Sequence, residues 1–184
     1  MIESERLILR LPEPADLSWN LAMCNTPAVM RHLGGPRSEV AVAESFEKNR
    51  AALVGGSFGF WTVTLRDSGT LIGKCGLSKI ETPAAPSELH GGVQIGWTFA
   101  QPFWGQGFAS EAARAVIRYA FGARGLPVIW SQTSGSNLAS TRMMTRLGFA
   151  RCAALDYVDT DYPPEDNPTT VYRMARDADY SERG

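Results

Sequence analysis

The 184-residue chain has only three cysteines and two histidines. Cys24, Cys75 and Cys152 are odd in number and far apart, with no Cys-x-x-Cys and no histidine at ligand spacing. That excludes a disulfide framework and a zinc module from the reading, so no metal is expected. A reduced, cytoplasmic setting is the expectation for such cysteine usage. An excess of charge of one sign is also lacking. Eighteen Lys and Arg against nineteen Asp and Glu give a net charge of −1, with the basic residues scattered. No nucleic-acid partner is expected from that distribution. No run approaches the roughly 18 apolar residues of a membrane span. The start "MIESERLILR" lacks the basic region and apolar core of a signal peptide. No membrane association is expected.

What is present reads as one domain over residues 1–176, followed by a loose tail over 177–184. "RLILRL" alternates in the manner of a strand and halts at Pro12 and Pro14. Asp16 offers an N-cap for a helix to about Cys24, and Ser38 offers another for the helix "SEVAVAESFEKNRAAL", with Val42, Phe46 and Leu53 as its apolar stripe. Two strands, "SFGFWTVTLRD" and "TLIGKCGLSKI", flank a turn at Ser68-Gly69. "ETPAAPSELHGG" is a loop and "VQIGWTFA" a fourth strand. The spacing of Ala112, Ala113, Val116, Ile117, Ala120 and Phe121 predicts an amphipathic helix of about four turns. "PVIWSQT" is a fifth strand. A helix from Asn137 to Leu147 follows, capped by Ser136 or Asn137 and stopped by Gly148. "FARCAALDYV" and "TTVYRMAR" complete the strands around a polar loop. The order β-α-α-β-β-β-α-β-α-β-β implies a mixed sheet with helices on its faces.

Gly105 and Gly107 stand directly before the amphipathic helix in "FWGQGFASEA". A helix start leaves unpaired N–H groups and a favourable dipole for an anion, and glycines let a phosphate come close. Geometry alone is the competing reading of a lone G-x-G. The dinucleotide fingerprint fails because its third glycine is Ser110, and no Gly-Lys-Ser/Thr occurs for a Walker loop. About thirty residues on, "SNLASTRMMTRLGF" places Asn137 and Ser140 on the first turn of the next helix, where amide and hydroxyl are expected to be free for a ligand.

Together these two segments resemble the GNAT superfamily of acetyl-CoA-dependent N-acetyltransferases. "IGWTFAQPFWGQGFASEA" is similar to its pyrophosphate motif, and "NLASTRMMTRLGF" to its N-x-x-S…LGF helix. The opening "ESERLILRLPEPADL" resembles the Rim-type branch, which includes enzymes acetylating ribosomal-protein N-termini. The likeness implies an α+β, three-layer α/β/α fold: a mostly antiparallel seven-stranded sheet with about four helices, splayed between the fourth and fifth strands. It also implies acetyl-CoA as co-substrate, an amine acceptor (a protein N-terminus or a small amine), and a fold that allows a homodimer. By the same likeness Trp97, Thr98 and Phe99 would bond the pantetheine arm. Trp104, Gly105, Gln106, Gly107, Phe108, Ala109 and Ser110 would cradle the diphosphate, and Asn137 and Ser140 would lie near the thiol.

The chemistry so implied is direct attack of a neutral primary amine on the thioester, with a proton removed from the amine and the thiolate met as it leaves. Relatives often carry glutamate where this chain has Gln94, and an amide cannot act as a base. Gln106 is likewise neutral where many relatives are basic. The catalytic candidates are Gln94, His90 and Ser140. Glu81, Glu88, Asp156 and Asp159 are alternative bases, and Tyr172 is a thiolate acid. Acidic Asp159, Asp161, Glu165 and Asp166 would attract a cationic acceptor. A non-catalytic acyl-CoA-binding or regulatory module is the alternative that Gln94 keeps open.

Overall fold

A computed structural model describes residues 1–176, so the tail expected over 177–184 lies outside the described residues. Eight strands form one open sheet in the order β1-β2-β3-β4-β5-β6-β8-β7: β1 (Ile2–Glu3), β2 (Leu7–Arg10), β3 (Phe60–Leu65), β4 (Leu71–Lys79), β5 (Val93–Phe99), β6 (Val128–Ser134), β7 (Ala150–Arg151) and β8 (Thr169–Ala175). The ladders are antiparallel except where β5 meets β6 in parallel at Gln94 and Trp130. There Ser131 Oγ also donates to the Ile95 carbonyl at 3.2 Å. Five helices accompany the sheet: α1 (Asp16–Trp19), α2 (Pro27–Met30), α3 (Glu39–Val54), α4 (Phe108–Phe121) and α5 (Leu138–Leu147).

The chain divides into two compact units. Among the described residues, the first comprises residues 1–77 and 96–116, the second residues 78–95 and 117–176. In the first, β2 buries Leu7 and Leu9 by alternation, β3 and β4 bury Val63, Ile72, Cys75 and Leu77, and α3 buries Val42, Phe46 and Leu53. Ser38 caps α3 by accepting from the Ala41 N–H. In the second, Ile80, Ala85, Leu89 and Val171 form a core against which Trp130, Cys152, Leu155 and Tyr157 pack.

Four expectations about elements change. The sheet gains an eighth strand because Ile2 and Glu3 pair with Leu9 and Ile8, a two-residue ladder too short to leave a periodic signal. The strand expected in "FARCAALDYV" stops at Arg151 and turns into a 3₁₀ segment, Ala153–Leu155, before one bridge from Tyr157 to Thr169. Asp16 does not cap α1, which starts after Ala15 without a side-chain cap. Its carboxylate instead accepts from both Nη atoms of Arg10, each at 2.7 Å, from the Glu13 N–H and from Thr62 Oγ1. The helix expected to reach Cys24 continues as a π-helical turn, Asn20–Cys24, and a fifth helix, α2, follows under a Thr26 cap.

Candidate active site

Within the first unit, β5 runs into the 3₁₀ turn Gln101–Phe103, then into Gly105 to Gly107, then into α4. Gly105 and Gly107 have φ of +74° and +83°. Left-handed backbone is open to glycine and costly for other residues, which answers why glycines sit at this helix start. A Cβ on Gly105 would meet nothing within 4 Å, and one on Gly107 would meet only Arg6 Nη2, at 3.4 Å. From Gly105 to Ser110 no main-chain N–H donates to an acceptor among the described residues. The first intrahelical bond of α4 begins one residue later, from the Glu111 N–H to the Gly107 carbonyl at 3.0 Å. Six consecutive donors without acceptors thus lie at and beside the N-terminus of α4, a surface that can receive an anion.

Side chains close the margins of this surface. Trp104 Nε1 donates to the Phe99 carbonyl at 2.7 Å, and Gln106 Nε2 donates to the Pro102 carbonyl at 3.0 Å. The Phe99 carbonyl is thus already engaged, and the expected role of that residue toward a pantetheine amide narrows to its N–H. Burial works to raise the pKa of Glu111. Hydrogen bonds from the Arg6 N–H, the Ser4 hydroxyl and the Arg6 guanidinium outweigh it and hold the carboxyl below its ordinary value.

In the second unit, Asn137 caps α5: its Oδ1 accepts from the Ser140 N–H at 3.2 Å, and its Nδ2 donates to Thr133 Oγ1 at 3.1 Å. The expectation of a free amide at Asn137 is corrected, because the start of a helix needs an acceptor and this amide supplies it. The Ser140 hydroxyl makes no hydrogen bond among the described residues. Gly148, at φ +96°, ends α5 as expected.

Gln94 lies on β5 opposite Trp130, and its Oε1 accepts from Gln132 Nε2 at 2.9 Å. Tyr157 Oη in turn donates to Gln132 Oε1 at 2.9 Å. Burial, and then the charge of Asp159, push the Tyr157 phenol up to about 12. His90 is exposed just after the 3₁₀ segment Ser87–Leu89. Glu81 and Glu88 are exposed as well.

The other acidic candidates are engaged in structure. Asp156 takes the Arg151 guanidinium and the Val171 N–H. Asp159, 6% exposed, accepts from Thr82 Oγ1 and from the Asp161 N–H. Asp166 is 5% exposed and accepts from Ser136 Oγ. The polar loop whose acids are expected to attract a cationic acceptor is therefore braced from within, also by Asn167, whose Nδ2 donates to the carbonyls of Asp159, Tyr162 and Pro163. Asp161 and Glu165 alone of the four acids face solvent. Tyr172 is buried under the Arg151 guanidinium, 5.2 Å from the ring centre, which is a packing role.

The acetyltransferase (GNAT) domain model matches residues 6–150. The chain belongs to the GNAT acetyltransferase family. Membership implies acetyl-CoA-dependent N-acetylation, and the protein is an N-acetyltransferase. An N-acetyltransferase of Bacillus subtilis, YoaA, is 30% identical over 179 residues, covering 96% of this chain and 97% of its own. The crystal structure of an acetyltransferase from Agrobacterium tumefaciens is 25% identical with a TM-score of 0.78, covering 95% of this chain and 94% of that one. RimL, a ribosomal L7/L12 α-N-protein acetyltransferase solved with coenzyme A, shares the fold with a TM-score of 0.76 at 16% identity, over 96% of this chain and 97% of its own. Among the described residues no helix is long and apolar enough to cross a membrane, and no cluster of His, Cys, Asp or Glu is arranged to hold a metal ion.

Two features escaped the sequence reading. The Gln94–Gln132–Tyr157 chain joins residues from three separate segments. Lys74, on β4 in register with Thr62, carries an amine whose pKa is lowered by burial and by Arg37. Neither leaves a local motif.

Proposed function

We propose that this N-acetyltransferase binds acetyl-CoA through the main chain of Gly105 to Ser110 and transfers the acetyl group to a primary amine, either a protein or peptide N-terminus or a small amine. The observation that carries the reading is the row of six N–H groups without acceptors, approached by two left-handed glycines. A diphosphate fits that surface in charge and in number of acceptor oxygens. Acetyl-CoA, once bound, supplies the activated thioester.

Trp97, Thr98 and the Phe99 N–H are assigned to the pantetheine arm from the family motif on β5. Asn137 and Ser140 are assigned to the cofactor from their motif, Ser140 with a hydroxyl available to it. A main-chain N–H of β5 facing the thioester carbonyl stabilises the oxyanion. The amine must lose a proton, and Gln94 orients water for that step through its unengaged amide nitrogen. His90, on an exposed loop, takes the proton to solvent. The opening "ESERLILR" supports placement in the Rim-type branch, and the cysteine pattern supports a cytoplasmic setting.

Thermal melts with and without acetyl-CoA test the binding. A ligand at 100 times its Kd stabilises by about 2.7 kcal/mol, and Gly107→Val, strained at φ +83°, should remove that shift. Release of free thiol across a panel of amines and N-terminal peptides tests the transfer. A melting shift that survives Gly107→Val overturns the diphosphate assignment.

A further inference from the structure

The guanidinium of Arg6 comes to the glycine turn from the far end of the chain. Glu111 Oε2 accepts from Arg6 Nε at 2.7 Å, and Glu111 Oε1 accepts from the Arg6 N–H at 2.7 Å and from Ser4 Oγ at 2.8 Å. Arg6 Nη1 donates to the Gln106 carbonyl at 3.2 Å. The Arg6 Cζ stands 4.6 Å from the centre of the Phe108 ring. One side chain thus touches the helix, the turn and the aromatic residue between them.

We propose that Arg6 is a positioning residue for the diphosphate, acting through the Gln106–Gly107 peptide. This inference rests on the acetyl-CoA reading above. A trans peptide holds its C=O and N–H on opposite sides. Pinning the Gln106 carbonyl to Arg6 therefore turns the Gly107 N–H away from Arg6, outward with its unbonded neighbours. Two left-handed glycines otherwise leave this peptide free to rotate, and each ligand encounter would have to order it again.

The second effect is electrostatic. Glu111 sits in the first turn of α4, where its charge suits the helix dipole but repels a phosphate. Arg6 neutralises that carboxylate in place. The acid is thereby kept from opposing the phosphate at a turn where the neutral Gln106 offers no charge of its own. An exposed ion pair of this kind contributes little to stability, so its effect should appear in binding more than in folding. The guanidinium is fixed on three sides before any ligand arrives, and its rotamer entropy is not lost again on binding.

The test is steady-state kinetics with acetyl-CoA and with S-acetyl-pantetheine, which has the thioester and no diphosphate, together with calorimetric binding of ADP. Arg6→Gln should raise the KM for acetyl-CoA about tenfold, the range of one charge-assisted contact, with kcat at saturation unchanged. ADP affinity should fall in parallel, and the KM for S-acetyl-pantetheine should stay as in the wild type. Arg6→Lys keeps a charge without the planar fork and should recover only part of the loss. Glu111→Gln removes the repelling carboxylate while loosening Arg6, so its KM for acetyl-CoA should stay nearer the wild type than that of Arg6→Gln; Arg6→Lys serves if Arg6→Gln does not fold. Unchanged acetyl-CoA KM in the Arg6 variants, or an equal loss with S-acetyl-pantetheine, overturns the positioning role alone. Wild-type protein that binds neither coenzyme A nor ADP overturns the diphosphate reading and this inference with it.

Discussion

Gln132 donates its side-chain amide to Gln94 Oε1 at 2.9 Å, and this one bond fixes which way the Gln94 amide faces. The Tyr157 hydroxyl holds Gln132 in turn, at 2.9 Å. The chain of donors runs from phenol to amide to amide, and no member of it titrates near neutral pH, since the Tyr157 phenol is pushed up to about 12.

Tyr157→Phe should therefore leave the shape of the pH–rate profile unchanged between about pH 6 and 9, because a phenol of that pKa stays protonated throughout. It should still lower stability by about 1 kcal/mol, the net worth of a partly buried hydrogen bond. Urea denaturation gives the second quantity, and a new inflection in the pH profile would contradict the first.

Asp16 offers a cleaner pH signature. Burial acts to raise its pKa. The Arg10 guanidinium, the Glu13 N–H and the Thr62 hydroxyl outweigh burial and hold it below the ordinary carboxylate value. A carboxyl lowered in the folded state adds stability above its unfolded pKa of about 3.9 and loses it as pH falls through the folded value. Asp16→Asn should cost about 1–3 kcal/mol at neutral pH, less than a fully buried pair because Arg10 is partly exposed. The difference from wild type should shrink as pH falls below about 4 toward the lowered folded value of Asp16. Parallel urea titrations at pH 7 and pH 3 measure it.

Local rules explain what was legible in advance. Gly105, Gly107 and Gly148 announced themselves because left-handed backbone favours glycine, and Ser38 and Asn137 because a helix start needs an acceptor. Asp16 was misread by the same rule. An acid at a helix start looks alike in sequence whether it caps the helix or meets an arginine six residues earlier. Arg6 and Glu111 lie more than a hundred residues apart, and no periodicity or spacing links them. The acidic loop before β8 looked solvated because its composition is polar. Asn167, Thr82 and Ser136 satisfy its main chain and two of its acids internally, and only the fold brings them there.

Packing at β3 and β4 makes one glycine irreplaceable. A Cβ on Gly76 would lie 2.2 Å from the Gly59 carbonyl oxygen and 2.4 Å from the Phe60 Cα. Both are main-chain atoms of the adjoining strand region, with Phe60 in register with Gly76, so relief requires the strands to part. Gly96 differs: its Cβ would meet the edge of the Phe60 ring at 3.1 Å, and a ring can tilt by a few tenths of an ångström. Gly76→Ala should cost about 3 kcal/mol or more, and Gly96→Ala about 1 kcal/mol or less. Comparable midpoints for the two variants in urea would show that β3 yields more readily than this geometry allows.

Lys74 carries a buried cost that a single substitution should expose. Its amine makes no hydrogen bond or ion pair among the described residues. Burial lowers its pKa most, the nearby Cys24 thiol acts to raise it, and Arg37 lowers it further. The carboxylate on the adjoining Thr62 hydroxyl, Asp16, is already committed to Arg10. A lysine whose folded pKa lies below its unfolded value of about 10.4 destabilises the fold wherever it is charged, and the penalty fades as pH rises through the folded value toward the unfolded one. Lys74→Met keeps the aliphatic length and removes the charge. It should raise the urea midpoint at pH 7, and the gain should shrink at about pH 10, where the wild-type amine is losing its proton as well. A midpoint that falls at pH 7 would mean that the ammonium is better solvated than its burial implies. A stabilised variant with reduced turnover would place Lys74 among residues kept for activity at a cost in stability.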